Sequence, residues 1–234
     1  MTAHHDRCLN CQSNLEGPFC SQCGQAKSAR LIPVKAWMSE FSGAFLALDS
    51  KLFRTLKRVL LQPGQATVDF ANGQRVPYSS PARVYIIVSA ISIAAMTLSG
   101  TFSSNDDTTS DLAKKVQFLF PFVNLLSPFF TAGVLAVFQR QQFFQLHLAF
   151  SLHFWTFLVA IGTPLVLLPP DSIWMLIATA GLTAIAIGHL LIAHRRVYTM
   201  PVLKRLLICG AVLLSMLLTS VLIMFLLFAF ASLL

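Results

Sequence analysis

Four cysteines close to the N-terminus carry the clearest chemistry in the sequence. They form two Cys-x-x-Cys pairs, Cys8 with Cys11 and Cys20 with Cys23, and eight residues separate the pairs. Two intervening residues let both sulfurs of a pair bind one ion, and two such pairs supply the four thiolates of a closed, tetrahedral zinc site. The sequence therefore predicts zinc as the cofactor and these cysteines as its ligands.

The cellular compartment decides between a metal site and disulfides, and the N-terminal residues indicate the cytoplasm. Residues 1–7 are polar and lack the apolar segment of a secretory signal. Cytoplasmic thiols stay reduced, which favours metal over disulfide for paired cysteines. A thiol–disulfide relay is the alternative, but it uses one reactive pair in a larger fold. Because about 20 residues cannot build an apolar core, a bound metal must supply most of the folding free energy of this segment.

A closed four-cysteine site is structural rather than catalytic, because no coordination position remains for water or substrate. It can present a rigid surface to a protein partner. Nucleic acid is a poor partner, since Arg7, Lys27 and Arg30 lack interleaved aromatic side chains that stack on bases. The sequence also lacks the motifs of zinc proteases, serine hydrolases, P-loops and dinucleotide-binding folds. These observations favour a non-enzymatic function.

The remainder of the chain has the composition of a membrane protein. Of its 234 residues, 56% are hydrophobic and only 11% are charged, against about 25% charged in soluble domains. That balance excludes an ordinary soluble enzyme and a disordered tail. Spanning a bilayer takes about 20 apolar residues, and five segments qualify, at about 84–102, 116–138, 145–168, 172–193 and 206–234. The predicted fold class is an all-α polytopic membrane protein with five transmembrane helices.

The distribution of basic residues predicts the topology of these spans. Most of the 17 Lys and Arg residues lie in residues 1–83 and in the loops 139–144 and 194–205, which alternate spans place on one side. Cytoplasmic loops are enriched in Lys and Arg, so this side is the cytoplasm. With five spans, the N-terminus is cytoplasmic and the C-terminus lies on the opposite side.

Residues 31–83 join the cysteines to the first span and have helical patterns of their own. Apolar residues recur at helical spacing from Val34 to Leu48, and a second amphipathic helix starts after Asp49 and stops at Pro63-Gly64. Basic amphipathic helices beside a membrane lie among the headgroups of anionic lipids. The alternative is that they pack against the cytoplasmic ends of the spans.

The segment 73–85 leads into the bilayer, and its prolines exclude a regular helix. Its Arg75, Tyr78 and Arg83 side chains suit the membrane interface. The preferred interpretation is an anchored elbow. The alternative is a loop that lines a cytoplasmic vestibule, in which Arg75, Tyr78 and Arg83 bind an anion.

Histidine is the ionisable residue that remains inside the predicted spans. No Asp, Glu, Lys or Arg lies within these boundaries, which argues against a transporter coupled through carboxylates. His147, His153 and His189 lie on two spans that form a hairpin, so they are a candidate metal or haem ligand cluster. However, His147 and His153 are about 120° apart on a helix. Hydrogen-bonded packing is therefore the preferred interpretation.

The order of these features resembles an uncharacterised bacterial membrane family, domain of unknown function 3667. The similarity covers about residues 8–100, and the motifs that carry it are the cysteine pairs, Gly17-Pro-Phe, Gln62-Pro-Gly, Gly73-Gln-Arg and Tyr78-Ser-Ser-Pro. The resemblance implies an N-terminal zinc ribbon ahead of several spans in a bacterial inner membrane, where the C-terminus is periplasmic. It implies no activity.

These features divide the chain into a zinc ribbon at 1–30, amphipathic helices with an elbow at 31–83 and a transmembrane bundle at 84–234. The preferred hypothesis is a scaffold or regulator that displays the ribbon in the cytoplasm and acts through anionic lipid and a protein partner. A homo-oligomer is compatible with this hypothesis. The alternative is a transporter or channel in which the ribbon is a gate or assembly element. A haem or redox enzyme that uses the histidines is a third hypothesis.

Overall fold

The computed structural model of the chain describes residues 7–27, 49–99, 111–169 and 172–231. Within these ranges it contains helices and no β-strand, apart from two isolated antiparallel bridges, Arg7–Asn14 and Phe19–Ala26. The predicted all-α class is therefore confirmed for this part of the chain. The amphipathic helix predicted from Val34 to Leu48 lies outside the described residues.

The described residues contain eight α-helices, in the order α1 (Ser50–Leu61), α2 (Gln65–Ala71), α3 (Pro81–Leu98), α4 (Asp111–Asn124), α5 (Ser127–Phe138), α6 (Phe144–Gly162), α7 (Ile173–Val197) and α8 (Val202–Ala231). A short 3-10 helix, Thr163–Leu167, extends α6. Asp49 caps the N-terminus of α1, where the sequence predicted the start of this helix, and its Oδ1 accepts a hydrogen bond of 2.8 Å from Leu52 N.

Four helical segments are long and apolar enough to cross a membrane: Pro81–Leu98, Phe144–Leu167, Ile173–Val197 and Val202–Phe230. They correspond to the first, third, fourth and fifth predicted spans. Many of their Ile, Leu and Phe side chains are exposed on the outer surface, which is typical of helices that face lipid. The membrane character predicted from composition therefore agrees with the fold.

The second predicted span, 116–138, is not one helix, so the count of five spans is not confirmed. Two residues separate α4, which ends at Asn124, from α5, which begins at Ser127. Pro128 explains the break, because a proline ring clashes with the carbonyl four residues earlier, here that of Asn124. The two helices have 14 and 12 residues, each short of the about 20 that a bilayer requires.

The helix α6 lies at the centre of the bundle. It packs against α3 and α5, and α8 packs against α4 and α5. The residues of α6 are buried continuously from Gln145 to Phe157. Phe150 and Phe154 of this run form the main core with Leu190 of α7 and Val212 of α8. Both predicted histidines of α6 lie in the same buried run.

The turn between α1 and α2 docks on the last turns of α7. Gly64 has a left-handed backbone (φ +77°), and a Cβ at this position would lie 2.7 Å from Ala193 O. Arg196 Nη1 donates a hydrogen bond of 2.8 Å to Pro63 O. Val59 on the apolar face of α1 belongs to the main core. The spans therefore cover this face of α1. This arrangement corresponds to the alternative in which the second amphipathic helix packs against the ends of the spans.

Candidate metal centre

The four cysteine sulfurs lie together. All four Sγ atoms are within 4.8 Å of one another, with Cys8 and Cys23 at 3.6 Å and Cys11 and Cys20 at 3.5 Å. A tetrahedral zinc–thiolate centre with bonds of about 2.3 Å places its sulfurs roughly 3.8 Å apart. The donor set and its geometry therefore fit a four-cysteine metal site.

Each cysteine pair lies on a tight turn of the same construction. Gln12 N donates to Cys8 O and Gly24 N donates to Cys20 O, both at 2.9 Å. The residue after each pair has a positive φ, +63° at Gln12 and +72° at Gly24, so the chain reverses there. Asn10 N also points at Cys8 Sγ at 3.4 Å. This repetition explains why two pairs with equal spacing direct their sulfurs to one point.

Ser13 is part of the centre although its position carries no recognisable sequence pattern. Its Oγ lies 3.0 Å from both Cys11 Sγ and Cys20 Sγ. Hydrogen bonding by this hydroxyl is the main cause that lowers the pKa of Cys20 to about 6 and also lowers the pKa of Cys11. Both thiols are thereby shifted towards the thiolate form that binds metal.

Gln25 joins the cysteine segment to the loop before α3. Its Nε2 donates a hydrogen bond of 2.8 Å to Gly73 O, and its Oε1 accepts one of 3.2 Å from Arg75 N. The residue is only 4% exposed. Its bond to Gly73 O is buried and the one from Arg75 N is partly buried, so both are stronger than fully exposed contacts. The cysteine centre is therefore docked on the loop that leads into α3, the first candidate membrane helix.

The loop that Gln25 holds also lines a cavity of about 200 Å³. Arg75 and Tyr78, two of the predicted interface residues, line this cavity. Arg83 does not, and its Nη1 lies 3.3 Å from Asp49 Oδ2. The cap hydrogen bond from Leu52 N is the main cause that lowers the pKa of Asp49, and the Arg83 guanidinium adds to it. The three predicted residues are thus divided between a cavity and an ion pair.

The candidate histidines are each bonded to a different element. His147 Nδ1 lies 2.9 Å from Tyr198 Oη, and its Nε2 donates to Gln139 O at 3.2 Å. His153 Nδ1 lies 2.9 Å from Thr67 Oγ1 of α2. These contacts connect α6 to the loops and to the small helices at one end of the bundle.

His189 of α7 completes the same pattern. Its Nε2 donates a hydrogen bond of 3.0 Å to Val59 O at the end of α1. Its ring stacks on Phe157 of α6, with the ring centroids 3.7 Å apart. Across the residues that the structure describes, the cysteine group is the one set of three or more His, Cys, Asp or Glu side chains whose ligand atoms converge. The structure therefore brings the cysteines together and does not bring the histidines together.

Comparison with known proteins agrees with the resemblance noted in the sequence. Residues 49–93 match the model of a family described as "Protein of unknown function (DUF3667)". This match covers α1, α2, the loop held by Gln25 and most of α3, so the resemblance is confirmed for that stretch. No curated protein and no solved structure matches the chain.

Proposed function

We propose that the chain is an integral membrane protein in which a zinc-bound cysteine ribbon organises the loop before α3 rather than catalysing a reaction. The single observation that carries the proposal is the double hydrogen bond of Gln25 to Gly73 and Arg75. Gln25 follows the fourth cysteine by two positions. Four thiolates on one ion fix the turn at Cys20 and Cys23, and this turn fixes the position of the Gln25 amide.

Zinc is the metal that best suits this donor set. Soft thiolate ligands select zinc or iron–sulfur chemistry, and four cysteines in two short turns are typical of structural zinc. When bound, zinc supplies folding free energy to a segment that is too short for its own core. Iron in the purified protein would contradict this assignment.

We also propose that the ribbon faces the cytoplasm of a bacterium and that the bundle spans its inner membrane. Arg195 and Arg196 lie in the last turn of α7, and Lys204 and Arg205 lie in the first turn of α8. The hydrogen bond from Arg196 to Pro63 O brings this basic region to the same end as α1. Excess basic charge at one end supports a cytoplasmic assignment and favours contact with anionic lipid headgroups.

In this arrangement α4 and α5 cross the bilayer together as one broken span. A short interruption is tolerated at membrane depth where the freed backbone groups are buried in protein. Five crossings then place the N-terminus in the cytoplasm and the C-terminus in the periplasm. We assign the protein the role of a regulator or scaffold, because its clearest built feature is the structural junction between the cysteine segment and the loop before α3. The partner in this proposal is a protein that binds the ribbon.

One observation favours the alternative of a transporter or channel. A second cavity of about 220 Å³ lies between α3, α4 and α6 beside the broken span, and its lining includes Ser89, Ser92 and Asn124. Transporters place their binding sites at interrupted helices, where polar groups meet at membrane depth. In this second function the ribbon sets the position of the first span relative to the cavity.

The experiment that tests the proposal replaces Gln25 and leaves the cysteines intact. In the Gln25→Ala variant, the amide hydrogen of Arg75 loses its acceptor, and we expect its exchange with deuterium to be about tenfold faster, the effect of losing roughly one hydrogen bond. Mass spectrometry of the peptides that cover 73–80 measures this exchange. Elemental analysis of the same sample should still find one zinc per chain.

The matched control is Gln22→Ala, because Gln22 is an exposed glutamine of the same turn. Hydrogen–deuterium exchange in residues 73–80 of the Gln22→Ala variant should equal that of the native protein. Unchanged exchange in the Gln25→Ala variant would contradict a ribbon that organises this loop.

A further inference from the structure

The cavity beside Gln25 has walls that suit an anion. It measures about 200 Å³ and lies between α1, α2, the loop 74–80 and the first residues of α3, with His153 of α6 at one wall. Thr55, Gln74, Arg75, Tyr78, Ser79 and Ser80 supply its polar lining, and none of the residues that line it is Asp or Glu. The charge that the lining contributes is therefore positive.

The cation of the cavity is held in place from two directions. The Arg75 guanidinium lies over the Phe70 ring, with its central carbon 4.1 Å from the ring centroid. The backbone N of Arg75 donates a hydrogen bond to Gln25 Oε1. A guanidinium that stacks on an aromatic ring keeps its planar set of N–H donors directed, which suits two-point binding of phosphate oxygens.

Ser79 supplies a hydroxyl whose hydrogen bonds are unused. Its backbone N donates a bond of 2.9 Å to Thr55 Oγ1, so the loop is fixed at this residue. Ser79 is only 7% exposed. Its Oγ is also buried, but it has no hydrogen-bond partner among the described residues. Buried hydroxyls are nearly always bonded, and this one belongs to a residue of the cavity lining.

The nearby carboxylate is neutralised by other groups. Asp69 is buried, and its Oδ2 accepts bonds of 3.1 and 2.9 Å from Arg58 Nε and Nη2. Its Oδ1 accepts a third bond, of 2.8 Å, from Gln65 Nε2. Asp69 is therefore held by Arg58 and Gln65, and these partners weaken its repulsion of an anion in the cavity. The first turn of α3, which begins beside the cavity at Pro81, adds the positive end of an 18-residue helix.

We infer that this cavity binds a phosphate group, carried either by a soluble phosphomonoester or by a lipid headgroup. Arg75 binds two phosphate oxygens through its guanidinium, and the Ser79 hydroxyl donates to a third. The position at the start of the first span makes the cavity accessible to both sources. This inference goes beyond the proposed role of the ribbon, since it concerns a ligand of the loop and not the metal.

The test uses the full chain purified in a maltoside detergent, which contains no phosphate. Calorimetric titration with glycerol 3-phosphate is compared with titration with glycerol, and phosphatidic acid added to the micelles is compared with diacylglycerol of the same chains by thermal unfolding. Each pair of ligands differs only in the phosphate. We expect saturable binding of glycerol 3-phosphate, of phosphatidic acid or of both. Glycerol and diacylglycerol, which lack the phosphate, should not bind.

Three variants then locate the site. Arg75→Gln should weaken binding at least tenfold, and Ser79→Ala about threefold or more, since each removes donors to the phosphate. Lys57→Gln is the matched control, because Lys57 is an exposed cation on α1 outside the cavity lining. The affinity of the Lys57→Gln variant for the phosphate ligand should stay within twofold of that of the native protein. Ser79→Ala removes an oxygen that has no partner, so it tests the site even where Arg75→Gln disturbs the fold.

The outcomes separate the sources and decide the inference. Binding of glycerol 3-phosphate indicates a soluble ligand, whereas a response to phosphatidic acid alone indicates a lipid headgroup, and both support the phosphate site. The inference is overturned when neither phosphate ligand binds, or when Lys57→Gln weakens binding as much as Arg75→Gln. Zinc content and exchange at residues 73–80, measured on the same samples, report separately on the ribbon.

Discussion

The cysteine segment and the histidine-bearing helices place their potential ligands in opposite ways. The first and last cysteines are 15 positions apart in the sequence, and all four sulfurs meet within 4.8 Å. His153 and His189 instead bond to Thr67 and Val59, which are 86 and 130 positions away. Tight turns direct neighbouring side chains to one point, whereas a helix distributes them around its axis. Residues that can bind metal therefore form a candidate metal centre in one region and cross-links between helices in the other.

The histidine cross-links have a structural purpose of their own. They connect α6 and α7 to the layer formed by α1 and α2, which carries the turn at Gly64 and the loop of the cavity. A hydrogen bond shielded from water stabilises more than an exposed one, and its loss leaves a buried group without a partner. We expect these histidines to contribute to stability and not to metal content.

Removing two sulfurs is the most severe test of this comparison. In the Cys20→Ser/Cys23→Ser variant, we expect the metal content to fall from one ion per chain to none, because two thiolates cannot complete a four-ligand shell. Elemental mass spectrometry of the purified protein measures this change. Cys209→Ser is the control, since Cys209 is buried in α8 away from the other cysteines, and it should keep its metal. Metal that persists in the double variant would assign it to the histidines.

Gly64→Ala disturbs the packing of the helices and leaves the cysteines intact. The added Cβ would lie 2.7 Å from Ala193 O on a backbone with φ +77°, so α1 and α2 must move away from α7. We expect a loss of about 3 kcal/mol in the free energy of unfolding, from steric overlap and left-handed strain together. Thermal unfolding in detergent measures it.

Gly181→Ala is the control for that substitution, because a Cβ on Gly181 of α7 meets no atom within 4 Å. Its stability should be native or slightly higher, while the zinc content of both variants should be unchanged. A Gly64→Ala variant as stable as Gly181→Ala would show that α1 and α2 are not held closely on α7.

His189→Ala addresses the comparison from the histidine side and should have the smallest of the three effects. It leaves Val59 O without its donor and removes the ring stacked on Phe157. We expect the free energy of unfolding to fall by about 2 kcal/mol with one zinc retained per chain. Ile185→Ala, at a half-exposed position one turn earlier, should change stability less. Loss of metal with unchanged stability would reverse the roles assigned to the two regions.

Local patterns predicted the features whose cause is local. The spacing of the cysteines predicted their convergence, and the apolar lengths predicted four of the long helices. A proline inside an apolar segment, such as Pro128, does not by itself specify a break, because neighbouring helices often satisfy the carbonyls that a proline frees. Whether the chain bends or stops there depends on how α4 and α5 pack against α8, and no segment of sequence contains that information.

Contacts between distant residues were beyond prediction for the same reason. Gln25 and Gly73 are 48 positions apart, and the sequence around each of them does not indicate a contact with the other. Ser13 is a polar residue in a polar turn, so only the three-dimensional arrangement shows that its hydroxyl lies between two sulfurs. The cavity likewise combines α1, α2, a loop and α6, which are separate in the sequence.

The contact made by Gln25 also sets an order of events during synthesis. Arg75 follows Gln25 by 50 positions, so at roughly 5–20 residues per second the ribosome adds it about 3–10 s later. His189, which donates the hydrogen bond to Val59 O, lies 130 positions after Val59 and is added later still. In the proposed topology, the newly made cysteine segment is therefore exposed to the cytosol while the residues on which it docks are still being translated. The metal ligation proposed for the four cysteines needs no later part of the chain. The Gln25 amide then closes the junction once the loop before α3 has been made.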